Sequence, residues 1–180
     1  MSIVTYSTAS SDITTLLADN TSEAISESDV RTVANDLLDL QTVYGALYVS
    51  GGASAQSLST SPAKLTCWAG NGASNGTTPD HTNDIITISS ASDGVYLVEF
   101  TIAATGNAGT TYVLQLYKNA SAVTGYQTRL TGDTTPTTAM LVAIVTGVVA
   151  TDTFSIYGST TSGTQNLTPV DAQLVVRRIK

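Results

Sequence analysis

Gly94-Val95-Tyr96-Leu97-Val98-Glu99-Phe100-Thr101-Ile102-Ala103-Ala104, the turn Gly106-Asn107-Ala108-Gly109, and Thr110-Thr111-Tyr112-Val113-Leu114-Gln115-Leu116-Tyr117-Lys118 decide the fold class. Each long run is rich in β-branched and aromatic residues, and the residues between them favour a turn. The same pattern spreads outward. Strands are expected at Tyr44–Val49, Lys64–Trp68, Ile85–Ser89, Tyr126–Leu130, Thr137–Gly147, Asp152–Tyr157 and Asp171–Ile179. Eight to ten short strands with turns at close spacing mean an antiparallel sandwich, barrel or jelly roll, not a βαβ fold.

One strand breaks the alternation. Met140-Leu141-Val142-Ala143-Ile144-Val145 is apolar on both parities, and Val95-Tyr96-Leu97-Val98 shows the same more weakly. Such a strand needs cover from the opposite sheet and from outside. In a chain of 180 residues the simplest outside cover is another subunit. Tyr96, Met140, Val142 and Ile144 are therefore the expected subunit interface.

Before Tyr44 the period is helical. Ser26-Glu27-Ser28-Asp29 reads as a capping box, with Asp29 where Glu is usual, and Ile25 and Val30 fit a hydrophobic staple. Val30, Val33, Ala34, Leu37 and Leu38 then share one face of a helix over about residues 27–40. A lone amphipathic helix must dock on something. The chain thus divides into residues 1–43, an arm and helix, and residues 44–180, the β domain. Leu16, Leu17, Val30, Val33, Leu37 and Leu38 are the expected apolar anchors toward a partner or the rest of an oligomer.

Charge narrows the partners. The net charge is −7, and only 12% of residues are charged. Residues 1–40 hold seven acids against Arg31, a balance of −6, and the remainder hold seven acids and six bases, −1. A chain without a basic footprint is not a nucleic-acid binder. The acidic start either faces solvent or meets a basic protein surface. No apolar run reaches the ~18 residues of a membrane span. Met1-Ser2-Ile3-Val4-Thr5 has neither the basic nor the apolar region of an export signal, so the expectation is synthesis in a cytoplasm. The one cysteine, Cys67, forms no disulfide framework and reads as a buried thiol.

No catalytic or cofactor motif emerges. The single histidine, His81, lies with Asp80 and Asp84 in a loop, too few nitrogen or sulfur donors for a transition metal. The glycines of Gly70–Gly76 lack the lysine and helix of a phosphate loop. No nucleophile elbow or carboxylate pair is present. The reading is a non-enzymatic protein with no cofactor and no metal.

Two resemblances add to this. Ser92–Phe100 followed by Thr111–Asn119, with Val149–Ile156 and the closing Gln173–Ile179, resembles tumour-necrosis-factor-like and complement-globular-head jelly rolls. It covers roughly residues 44–180 and implies an antiparallel jelly-roll sandwich that assembles as a homotrimer. Leu16-Leu17-Ala18-Asp19-Asn20-Thr21-Ser22 and Ile25-Ser26-Glu27-Ser28-Asp29-Val30-Arg31 are similar to a segment of phage fibre, head-fibre and decoration proteins, departing at Glu23 where Gly is common. That implies a virion protein on the capsid surface, bound to the major capsid protein through its N-terminal part. The second reading is a tail-fibre or receptor-binding tip that holds a cell-surface saccharide through Trp68, Tyr126 or loop Asn and Asp residues.

Overall fold

The computed structural model describes residues 11, 26–40, 43–89 and 92–180. Helix α1 spans Glu27–Leu40, as the capping box requires. The Asp29 amide donates to Ser26 Oγ at 3.2 Å, and the Ser26 amide donates back to Asp29 Oδ2 at 2.8 Å. These bonds satisfy donors that the first helical turn leaves open. The Ser26 amide and hydroxyl also hold the Asp29 carboxyl below its usual range. Ile25, Leu16 and Leu17 lie outside the described residues, as do the side chains of Leu37 and Leu38.

Twelve strands follow: β1 (Tyr44–Val49), β2 (Gln56–Leu58), β3 (Ala63–Lys64), β4 (Gly70–Asn71), β5 (Thr77–Asp80), β6 (Ile85–Ile88), β7 (Gly94–Gly106), β8 (Thr111–Lys118), β9 (Ser121–Thr131), β10 (Thr137–Val148), β11 (Thr153–Thr160) and β12 (Gln165–Arg178). They form two six-stranded antiparallel sheets. Sheet A runs β10-β7-β12-β1-β4, with β2 also on β12, and sheet B runs β5-β6-β11-β8-β9, with β3 also on β11. Most connections cross from one sheet to the other, and only β1–β2, β5–β6 and β8–β9 stay within a sheet, which is the jelly-roll arrangement. Proline falls where a missing amide is tolerated: Pro79 on the edge strand β5, and Pro169 at the register shift in β12.

The inward parity of β7, β8, β10, β11 and β12 fills one core. Tyr96, Val98, Phe100 and Ile102 of β7 face Leu114, Leu116, Phe154 and Ile156 of sheet B, all buried. Phe154 lies beside Tyr96 with ring centroids 6.3 Å apart. Tyr112 shows how tightly one end is closed. Its hydroxyl donates to the Asn166 carbonyl and accepts from the Asn107 amide. A Cβ on Gly106 would stand 2.7 Å from this ring, and one on Gly132 would stand 2.4 Å from the Asn107 carbonyl. Only glycine fits at either place.

Two expectations are corrected. The strand read at Lys64–Trp68 is only Ala63–Lys64. Beyond it the chain leaves the sheet and turns Leu65, Cys67 and Trp68 into the core, where Trp68 meets Phe100 edge to face. Burial pushes the Cys67 thiol up to about 12, which keeps it unreactive. Tyr96 is not an interface residue. It is fully buried inside its own chain, with its hydroxyl donating to the Ser92 carbonyl. Glu99 and Thr101, two and four residues after Leu97, mark the other parity as the outward one.

Candidate interaction surfaces

The outward parity of sheet A builds a continuous face. Its register aligns three rows across β10, β7, β12 and β1: Met140-Thr101-Gln173-Tyr48, Val142-Glu99-Val175-Ala46, and Ile144-Leu97-Arg177-Tyr44. Directly opposed residues in an antiparallel pair point to the same side. Along β10, Leu141, Ala143 and Val145 are buried, whereas Met140, Val142 and Ile144 are 64%, 47% and 52% exposed. The doubly apolar strand is thus covered by the opposite sheet on one side and open on the other.

Five of the eight exposed large hydrophobics among the described residues lie here: Met140, Val142, Ile144, Tyr44 and Tyr48. They stand on the two outer strands of the face, β10 and β1. Between them β7 and β12 carry Leu97, Val175, polar residues and the Glu99–Arg177 ion pair, at 3.5 Å. The result is a trough of about 630 Å³ with Tyr48 and Met140 among its lining, together with Thr101, Ala103, Asp171 and Gln173. Exposed ridges beside a concavity can take a complementary protein surface.

Sheet B presents a different outward face. Its register aligns Gln127, Gln115, Tyr157 and Lys64 across β9, β8, β11 and β3. Tyr117 stacks on Tyr157 with ring centroids 3.8 Å apart and planes 14° from parallel. No exposed large hydrophobic among the described residues falls on this face.

At the end of the sandwich where β1 begins and β12 finishes, Asp152 ties its own loop to the end of β8. Its carboxylate accepts from Lys118 Nζ at 2.9 Å, Asn119 Nδ2 at 2.6 Å and the Val149 amide at 3.0 Å. Burial pushes this carboxyl up. The Lys118, Val149 and Asn119 hydrogen bonds outweigh that and hold it below the usual carboxylate range. Asn119 and Ala120, both at positive φ, form the tight β8–β9 turn that presents the amide. Asp93 joins the same end by accepting the Ala150 amide at 2.8 Å.

The remaining sequence candidates separate. On α1, Val33 is buried and Val30 is 53% exposed, so the helix stripe is partly open. Asp80 closes the His81 loop on itself, accepting the Thr82 and Asn83 amides at 3.0 Å each. His81 instead donates its amide to Asn71 Oδ1. Among the described residues no group of three metal-ligating side chains comes together, and no helix is long and apolar enough to cross a membrane. Of the residues named for a saccharide, Trp68 is buried, and Tyr126 packs partly on the core with its hydroxyl donating to the Ile144 carbonyl. Neither offers a free ring. The Tyr117–Tyr157 pair was not legible in the sequence, because 40 positions separate residues that only the β8–β11 register brings together.

No family model matches the sequence, and no curated protein matches it. Solved structures do share its fold. The chain is similar to the tumour necrosis factor Eiger from S. frugiperda, at 13% identity and a TM-score of 0.55, covering 78% of this chain and 94% of that one. A zebrafish complement 1qA globular domain matches at 12% identity and a TM-score of 0.49, covering 77% of this chain and 98% of that one. The PRD1 vertex protein P5 matches at 16% identity and a TM-score of 0.47, covering 78% and 99%. At these identities the likeness is one of fold, and the first of the three carries it.

Proposed function

We propose that the chain is a non-enzymatic virion protein, a homotrimeric decoration or cement protein of the head-fibre type. In this reading it binds the major capsid protein and stabilises the outer surface of a phage capsid. The observation that carries the trimer is the open apolar face of sheet A on a tumour-necrosis-factor-like jelly roll. Covering the exposed parts of Met140, Val142, Ile144, Tyr44 and Tyr48 is worth on the order of 1 kcal/mol each. In a closed ring the gain recurs at every contact. The capsid half of the reading is supported by the phage-like segment over residues 16–31 and by the charge balance of −6 in residues 1–40. It is supported also by the exposed Val30 on α1.

The mechanism is mechanical. Residues 1–43 act as the anchor, and the β domain as the trimerising body. A protein that binds only the assembled lattice stabilises that lattice by mass action. Three anchors held in one trimer bind with an avidity that one lacks. Deleting residues 1–43 tests this directly. The truncated protein should remain a folded trimer and should no longer pellet with capsids. Undiminished capsid binding would move the attachment surface onto the β domain and defeat the anchor.

A further inference from the structure

We infer that the outer face of sheet B is a binding platform for a neutral polysaccharide, centred on Tyr117 and Tyr157. The face points away from sheet A, so assembly through sheet A alone would leave it open, and the inference does not depend on a capsid.

Tyr117, Tyr157 and Gln115 are held outward because Leu116, Ile156 and Leu114 beside them are fully buried. The two rings stack on each other and stay partly exposed, a rigid aromatic pair on this face. Around it stands unused hydrogen-bonding capacity. The hydroxyls of Tyr117 and Tyr157 and the amides of Gln115 and Gln127 make no hydrogen bond to the described protein. Amides and phenols both donate and accept, which suits hydroxyl-rich ligands. The row from Gln127 to Lys64 crosses three strand spacings, or about 14 Å at ~4.8 Å each. That length fits several linked sugars better than one.

The chemistry also selects against other occupants. A protein interface centres on a well-exposed apolar patch, and the exposed large hydrophobics are on the other sheet. Nucleic acid needs a basic footprint. In the row only Lys64 is charged, and its ammonium donates to the Asn83 carbonyl at 3.0 Å. An aromatic plate flanked by free amides and hydroxyls, with no acid in the row, fits an uncharged glycan.

Native affinity gels of the full chain provide the test, with dextran, a mannan or a mixed-linkage β-glucan cast in the gel and hyaluronan as the acidic control. At least one neutral polymer should retard the protein. Tyr117→Ala and Tyr157→Ala should each weaken that retardation at least tenfold, and Tyr157→Phe, which keeps the plate, should weaken it less. Thermal melts check folding. If an alanine variant unfolds, the Gln115→Glu/Gln127→Glu variant takes its place and should also lose retardation. The inference is overturned if none of the three neutral polymers retards the wild-type chain, if hyaluronan alone does, or if folded variants are retarded as strongly as wild type.

Discussion

The outer face of sheet A sets Met140, Val142 and Ile144 opposite Thr101, Glu99 and Leu97. The outer face of sheet B sets Gln127 opposite Gln115, and Gln115 opposite Tyr157. Both faces arise from the same alternation of antiparallel strands over a shared core, so folding alone does not explain their difference. A sandwich needs only its inward parities to be apolar. The apolar outward parity of β10 adds nothing to the folded monomer that Thr or Gln would not supply. In the proposed reading it is a surface for a partner, whereas the sheet B face suits water and ligands that resemble water in their hydrogen bonding.

The largest effect expected from this comparison separates inward from outward residues. Tyr96→Ala empties a fully buried site and should cost about 3–5 kcal/mol of folding stability. Met140→Ala, on the open parity of the neighbouring strand, should leave monomer stability nearly unchanged. Urea titrations of both variants check this. Equal losses would mean that Met140 is part of the monomer's core.

Next comes the contrast between faces. Val142→Asp places a carboxylate directly opposite Glu99, in a surface that assembly would dry. Like charges across a strand pair repel, and an unpaired buried charge costs about 3–5 kcal/mol. Assembly should weaken at least a hundredfold, read as a concentration-dependent shift in sedimentation. The same change at Gln115, on sheet B, should leave assembly intact. Dissociation by both variants, or by neither, would break the distinction between the two surfaces.

A smaller effect belongs to neither face. Asp152 sits on the loop joining β10 of sheet A to β11 of sheet B, and its folded carboxyl is held below the usual carboxylate range. A depressed folded value stabilises the protein above the unfolded value, and this contribution is lost as pH falls through the folded one. Stability should therefore drop below about pH 4, and Asp152→Asn should flatten that drop. Each hydrogen bond lost there is worth about 1–3 kcal/mol. Thermal melts from pH 2 to 7 measure it. An unchanged acid profile in Asp152→Asn would show that other carboxylates govern the acid limb.

How much of this the sequence revealed follows from the range of each signal. The capping box was legible because Ser26 and Asp29 are three residues apart, and α1 lies at Glu27–Leu40 as the pattern indicates. The long strands were legible from composition and turns. Their ends ran further than expected, as β12 begins at Gln165 rather than Asp171, because register with β7 and β2 extends a strand past its most apolar residues. Tyr96 was misread because Val95–Val98 is apolar on both parities, although Glu99 and Thr101 downstream already fixed which parity faces out. Trp68 was misread as a surface ring because a short apolar run looks the same in a strand and in a core-filling loop. The tyrosine plate had no local signal at all.

Sedimentation equilibrium of the full chain at micromolar concentration, at neutral pH and without ligand, tests the central claim most directly. The apolar face of sheet A predicts a single species of three times the 18.6 kDa chain mass, reverting toward the monomer in Val142→Asp. A folded wild-type protein that sediments as an 18.6 kDa monomer would contradict it.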